Sequence, residues 1–289
     1  MQQDLLTIIA GGMPQFSKGQ KRIANYILAH YDKSAFMTAS RLGAAVGVSE
    51  STVVRFATEL GFEGYPGLQR ALQEMIRNRL TSVQRIEVTS DQIGTDSVFD
   101  KVLNLDIEKI RRTLESSSRD EFDAAVETLV SASSIYIIGS RSAEALAQFL
   151  AYYFNLIFPN VRLVRANSSS EMFEQIMRVG ADDIMIGISF PRYSKHTVRA
   201  LNYASDRGAK VLAITDTRMS PLAEHANHLL LARSDMASFV DSLVAPLSVI
   251  NALIVAVGIR KREEISKTFE TLEHIWDEYG VYQKAGDQK

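Results

Sequence analysis

The stretch SESTVVRFATELGF, Ser49 to Phe62, spaces Val53, Phe56, Ala57 and Leu60 at intervals of 3, 1 and 3. That spacing stacks four apolar side chains on one face of a helix, and Ser49 is placed to cap its start. Upstream, Thr38 to Val46 reads as a short helix with Thr38 or Ser40 as its cap; Gly47 then breaks the pattern. A helix, a short Gly-bearing turn and a Ser-capped second helix form the signature of a helix-turn-helix. Gly19 to His30 supplies a preceding helix with Ile23, Tyr26, Ile27 and His30 on one side, and Tyr65 to Leu80 supplies a following one. Residues 1–80 therefore read as an all-α helix-turn-helix domain.

The outer face of the Ser49–Phe62 helix carries Ser51, Thr52, Arg55, Thr58 and Glu59. Taken as structure alone, Arg55 is a solvated cation and the hydroxyls serve the helix end. Taken as a DNA reader, Ser49, Ser51, Thr52 and Arg55 sit near the helix N-terminus, where recognition helices meet base edges. Arg can grip guanine with two hydrogen bonds. Lys18, Lys21, Arg22 and Arg41 lie on the preceding segments, placed to neutralise phosphates. Double-stranded DNA is the expected partner.

Composition sets the frame. The chain has 289 residues, 46% hydrophobic and 23% charged, with no cysteine. That suits a globular protein in a reducing compartment, and the cytoplasm is expected. MQQDLLTIIAGG has no basic segment ahead of its short apolar run, so no signal peptide is expected. Leu243 to Ile259 is interrupted by Pro246, Ser248, Asn251 and Gly258, which reads as a core helix rather than a membrane span of about 20 apolar residues. The net charge of −2 hides an asymmetry: residues 1–80 carry +3 and the remainder −5. A mildly basic module is joined to an acidic one. Residues 81–96 are polar and aperiodic and read as a linker, leaving 97–289 as the second domain.

Two amphipathic helices, about Val98 to Glu115 and Arg119 to Ala132, open that domain. Five short apolar runs follow, ending near Gly139, near Ala166, at Ser189, at Asp216 and at Ala232, most of them separated by helical patterns. Strands apolar on both sides of the pleat, in β-α-β order, predict an α/β domain with a doubly wound five-stranded parallel sheet.

In such a sheet the ligand crevice lies beyond the carboxyl ends of the strands. After the first strand stand Gly139, Ser140, Arg141 and Ser142; after the third stand Ser189, Pro191, Arg192, Tyr193, Ser194, Lys195, His196 and Thr197. Hydroxyls and free amides at helix N-termini favour an anion, and Arg141, Arg192 and Lys195 add cationic donors. The plainer alternative is that Ser142 and Ser194 are only N-caps. A dinucleotide site would need G-x-G-x-x-G, and only Gly139 is present. His225 and His228 lie close, expected at a helix end, but no HExxH pattern completes a metal site. Neither a metal nor a cofactor is expected. His196 reads as a helix-entry residue rather than a general base, and no G-x-S-x-G nucleophile motif is present.

The two halves together resemble the RpiR-type bacterial transcription regulators, on the strength of VSESTVVRFATELGFEGYPGL, Val48 to Leu68, extended back through KRIANYIL. Residues from about Ser133 to Val257 resemble a SIS domain, the sugar-isomerase-type fold. The resemblance implies a regulator of carbohydrate-metabolism genes that senses a phosphosugar through its hydroxyl-rich loops. Ser189 and Ser194 match the outer hydroxyls of the SIS pattern I-S-x-S-G-x-T, while Pro191 and Arg192 replace its inner Ser-Gly. Arg141 stands where many SIS domains have Ser, between Ser140 and Ser142. No residue matches a catalytic carboxylate; Asp235 and Asp241 lie only near the relevant region, so a binding domain and not an enzyme is expected. The rival expectations are a phosphosugar isomerase or hydrolase with an accessory N-terminal domain, and a regulator whose SIS domain only dimerises. A homo-oligomer, a dimer or a dimer of dimers, is expected, with Leu243–Ile259 or the Trp276-bearing helix supplying the interface.

Overall fold

Val53, Phe56 and Ala57 are buried, and Leu60, the last of the expected stripe, is half-buried where the helix ends. The structure, a computed structural model, describes residues 5–76, 81, 83–86, 97–165, 168–235 and 240–282. The chain divides into two compact units: Met1–Leu103 with Met236–Asp241, and Asn104–Asp235 with Ser242–Lys289.

Among its described residues the first unit begins with α1 (Leu5–Gly12), α2 (Lys18–Ala29), α3 (Tyr31–Ser34), α4 (Ala39–Val46), α5 (Glu50–Glu59) and α6 (Gly64–Ile76). Each start that defines the helix-turn-helix has a chemical cause. Ser17 and Gln20 form a reciprocal capping box at α2, Thr38 caps α4, and Ser49 caps α5. Gly47 ends α4 with φ 68°, a left-handed conformation that glycine adopts without penalty. The inward faces meet in one core that includes Ile23, Ile27, Leu42, Val53, Phe56, Leu68 and Leu72. Tyr65 reaches from α6 to donate to the Met37 carbonyl at 2.8 Å, and burial pushes its hydroxyl up to about 12.

The helix expected to run to Leu80 is described only to Ile76; residues 77–80 and most of the expected linker lie outside the described residues. Within that linker, residues 83–86 are helical, and buried Arg85 pairs with Asp241 at 2.8 Å. A polar, aperiodic composition gave no sign of this ion pair, because the carboxylate lies far away in sequence. The boundary between units falls inside α7 (Val98–Ser116) rather than at residue 97.

The second unit continues with α8 (Arg119–Ser131), β1 (Ile135–Gly139), α9 (Ser142–Ile157), β2 (Val161–Val164), α10 (Ser169–Ile176), β3 (Ile184–Ile188), α11 (Lys195–Asp206), β4 (Lys210–Thr215), β5 (His228–Leu231), α12 (Val244–Arg260) and α13 (Arg262–Glu278). The five strands are all parallel, in the order β2-β1-β3-β4-β5. Alternate residues serve opposite faces. Ile135, Ile137, Ile184, Ile186, Leu212 and Ile214 pack with α8, α9 and α12, whereas Tyr136, Ile138, Met185, Val211 and Ala213 pack with α10 and α11. β1, β3 and β4 are sealed on both faces, while the edge strands β2 and β5 are only partly buried.

The helix expected at Leu243–Ile259 as a core helix buries Ala245, Pro246, Ile250, Leu253 and Val257 but leaves Val255 60% and Ile259 69% exposed. It covers the sheet with one face only. Among the described residues no single helix is long and apolar enough to cross a membrane, and α12 and α13 meet at a 97° bend.

Candidate functional site

The strand order sets the location. β1 and β3 are neighbours, yet the chain leaves β1 into α9 on one face and leaves β3 into α11 on the other. Diverging connections of this kind mark the strand ends at which such a fold places its ligand crevice. Both hydroxyl-bearing loops expected from the sequence start there.

Gly139 ends β1, and α9 approaches so closely that a Cβ at this position would stand 2.5 Å from the Ala143 carbonyl oxygen. Ser140 follows, half-buried, with its Oγ 3.5 Å from the Thr197 Oγ1 at the start of α11. Ser189, 4% exposed, accepts from the Ser194 amide at 3.1 Å. Ser194 caps α11 by accepting from the Thr197 amide at 3.4 Å, and Thr197 is fully buried. Ser140, Ser189, Ser194 and Thr197 are thus drawn together by two loops and two helix starts. The arrangement places hydroxyls beside two helix N-termini, whose outward-pointing amides suit the oxygens of an anion.

Arg141, Ser142, Arg192 and Lys195 ride on the same loops as exposed residues. Ser142 is not the N-cap of α9. Arg141 occupies the cap position without a side-chain cap bond, and Ser142 is the first helical residue. The cause is local: Arg141 takes φ 59° and ψ −128°, which turns the chain abruptly into the helix. Arg192 also has a positive φ, 68°. Those values belong to the left-handed half of backbone space that favours glycine. Arg192 stands where the pattern I-S-x-S-G-x-T has its Gly, so the loop keeps glycine's conformation with an arginine in its place.

Sequence reasoning missed two residues at this edge. Asp216, directly after β4, is 6% exposed, and its Oδ1 accepts from the Tyr193 hydroxyl at 2.8 Å and from the Thr215 hydroxyl at 3.3 Å. Thr215 Oγ1 also lies 2.9 Å from Ser220 Oγ. The available signal was an Asp closing an apolar strand run, KVLAITD, at the carboxyl end where this fold places ligands.

On the first unit, Lys18, Lys21, Arg22, Arg41, Ser51 and Arg55 are exposed and Thr52 is half-buried. The hydroxyl of Ser49 is occupied locally: it accepts from the Thr52 amide at 3.3 Å and lies 2.9 Å from Ser51 Oγ and 2.8 Å from Thr52 Oγ1. Arg22 donates to the Gly47 carbonyl at 3.1 Å, which ties α2 to the turn between α4 and α5.

His225 and His228, expected on a helix end, lie in a turn and at the first residue of β5. His228 opens the strand expected to end at Ala232, so the pair flanks a strand start and not a helix end. His228 Nε2 lies 2.8 Å from Thr128 Oγ1, with Nδ1 3.5 Å from Glu121. Among the described residues no group of three or more His, Asp or Glu side chains is arranged to hold a metal ion.

Residues 3–79 match the helix-turn-helix domain of the rpiR family, and residues 128–256 match the SIS domain. The chain is similar to the HTH-type transcriptional regulator HexR of Pseudomonas aeruginosa, 26% identical over 268 residues and 90% of each chain. Among solved structures it resembles the sugar isomerase domain of an RpiR transcription factor from Sphaerobacter thermophilus, with 28% identity and a TM-score of 0.59 over 62% of this chain and 99% of that one. Vibrio vulnificus NanR, complexed with ManNAc-6P, shares the fold at 22% identity and a TM-score of 0.59, over 97% of this chain and 100% of that one.

Proposed function

This chain is a helix-turn-helix transcriptional regulator of the RpiR family carrying a SIS domain, and on that premise we propose that a phosphosugar bound at the β1/β3 edge sets its affinity for operator DNA. The observation that carries the reading is the convergence of the two loops, with Ser140 Oγ 3.5 Å from Thr197 Oγ1. The ManNAc-6P held by NanR, a protein of the same fold, is a sugar phosphate and supports that ligand class.

The chemistry is recognition without turnover. Phosphate oxygens accept hydrogen bonds donated by the hydroxyls of Ser140, Ser189, Ser194 and Thr197 and by helix-start amides. Arg141, Arg192 and Lys195 supply charge-assisted donors, and Ser142 adds a hydroxyl at the start of α9. On the DNA side, α5 is the reader, with Ser51, Thr52 and Arg55 meeting base edges. Lys21 and Arg41 meet phosphates, and Ser49 and Arg22 hold the motif's shape. A phosphosugar shifts DNA binding only by preferring one arrangement of the paired DNA-binding units over another. The regulator works in the cytoplasm on genes of carbohydrate metabolism.

The test begins with a thermal-shift screen of sugar phosphates, since a ligand selective for the native state raises its melting temperature. The compound found is then added to a DNA-binding titration. Ser189→Ala combined with Ser194→Ala is expected to weaken its binding about tenfold or more and remove its effect on DNA while DNA binding itself persists. An unchanged response in the double variant, or steady conversion of a phosphosugar by the parent protein, refutes the reading.

A further inference from the structure

We propose that Asp216 and Tyr193 form the sugar-reading edge of the site, with the ligand's phosphate against the loops after β1 and β3 and its hydroxyls facing the end of β4. This rests on reading the β1/β3 edge as a phosphosugar site, and it assigns the bound molecule an orientation.

The sheet supplies the first part of the argument. β4 lies directly beside β3, with Ile188 opposite Ile214, and the Ser189 amide donates to the Ile214 carbonyl at 3.2 Å. Asp216 therefore stands one strand over from Ser189, just past the end of β4. Tyr193 belongs to the loop between Ser189 and Ser194, and its hydroxyl crosses to the Asp216 carboxylate at 2.8 Å. That hydrogen bond joins the anion-binding loop to the carboxylate.

Charge supplies the second part. The hydroxyl cluster suits an anion, whereas a carboxylate repels a phosphate brought against it, and more strongly in a site shielded from water. A carboxylate at such an edge accepts from donors, and the donors on a sugar phosphate are its hydroxyls or an amide on the ring. The two chemistries thus divide the edge into a phosphate end at β1/β3 and a hydroxyl end at β4.

Rigidity supplies the third. Thr215 Oγ1 lies 3.3 Å from Asp216 Oδ1 and 2.9 Å from Ser220 Oγ, and the Ser220 hydroxyl accepts from the Leu222 amide at 3.2 Å. Thr215 is fully buried and Ser220 is 3% exposed. An acceptor held this firmly discriminates between hydroxyl configurations, because it cannot shift to follow a donor placed at another angle or distance.

The experiment uses the full-length protein with Asp216→Asn and, separately, Tyr193→Phe. Thermal shift and calorimetry are run with inorganic phosphate, glucose 6-phosphate and N-acetylmannosamine 6-phosphate. For the sugar phosphate that stabilises the parent most, affinity is expected to fall about tenfold or more in Asp216→Asn, while the response to inorganic phosphate stays within about twofold. Tyr193→Phe is expected to move the same two readings in the same directions, which keeps the test available if the asparagine variant folds poorly. Unchanged sugar-phosphate affinity overturns the inference. So does a parallel loss of both ligands, which would mean that the pair merely holds the loop. A parent that responds to none of the sugar phosphates refutes the underlying site reading instead.

Discussion

Arg141 and Arg192 hold φ of 59° and 68°, on the two loops that meet at the β1/β3 edge. A non-glycine residue in that region costs on the order of 1–3 kcal/mol, kept only where the surrounding structure over-determines it. Arg141→Gly is therefore expected to stabilise the ligand-free protein by about 1 kcal/mol, read as a higher melting temperature, while weakening its response to phosphosugars. A lower melting temperature would show that the arginine side chain is structural. Arg55 makes the opposite kind of test. It is exposed on α5, opposite buried Val53 and Phe56. Arg55→Ala is expected to leave the fold intact and remove about 1–3 kcal/mol of discrimination between operator and random DNA. Competition binding checks this, and undiminished discrimination would exclude Arg55 as a base reader.

The helix-turn-helix depends on one backbone conformation. Gly47 ends α4 at φ 68°, and a Cβ there would stand 2.6 Å from Arg22 Nη2, whose guanidinium also holds the Gly47 carbonyl. Gly47→Ala combines left-handed strain with loss of that tie and is expected to cost about 1–2 kcal/mol. Operator affinity should fall with stability, because the turn sets the angle between α4 and α5. A melting curve paired with a DNA titration measures both, and a variant with parental melting temperature would contradict the argument. In the second unit the same logic operates through helix starts. Ser194 spends its hydroxyl on the Thr197 amide, so cap and ligand contact are not exclusive readings of this serine: one oxygen has lone pairs for the cap and a proton for a phosphate.

The molecule as a whole presents apolar surface that a single chain leaves uncovered. α13 has no buried residue, and Phe269, Ile275 and Tyr279 are 37%, 42% and 75% exposed; on α12, Val255 and Ile259 are more than half exposed. Exposed apolar side chains on two consecutive helices are the kind of surface that a partner is expected to cover. One short recognition helix reads few base pairs, and pairing two of them across half-sites about 34 Å apart is the usual remedy. A homodimer, or a larger assembly of dimers, is therefore expected in solution. Sedimentation at micromolar concentration checks it, and a monomer with full operator affinity would count decisively against it.

Much of this was legible in the sequence, for reasons of local physics. The 3-1-3 spacing after Ser49, the capping residues and Gly47 specify the helix-turn-helix, because helix faces and ends are set by neighbours a few residues apart. Five short apolar runs separated by helical patterns likewise specify parallel strands, and the loops rich in Ser and Arg follow the first and third of them. Other features were decided only by the tertiary structure. Strand order places β1 beside β3, which brings two separate loops together. Folding also makes Arg141, rather than Ser142, the N-cap residue of α9. It joins Arg85 to Asp241 across 156 positions and Tyr193 to Asp216 across 23. Such pairs have no period and no fixed spacing, so no pattern announces them. Each exists because folding brings two polar groups together where water is excluded, and where leaving either one unpaired would cost more than joining them.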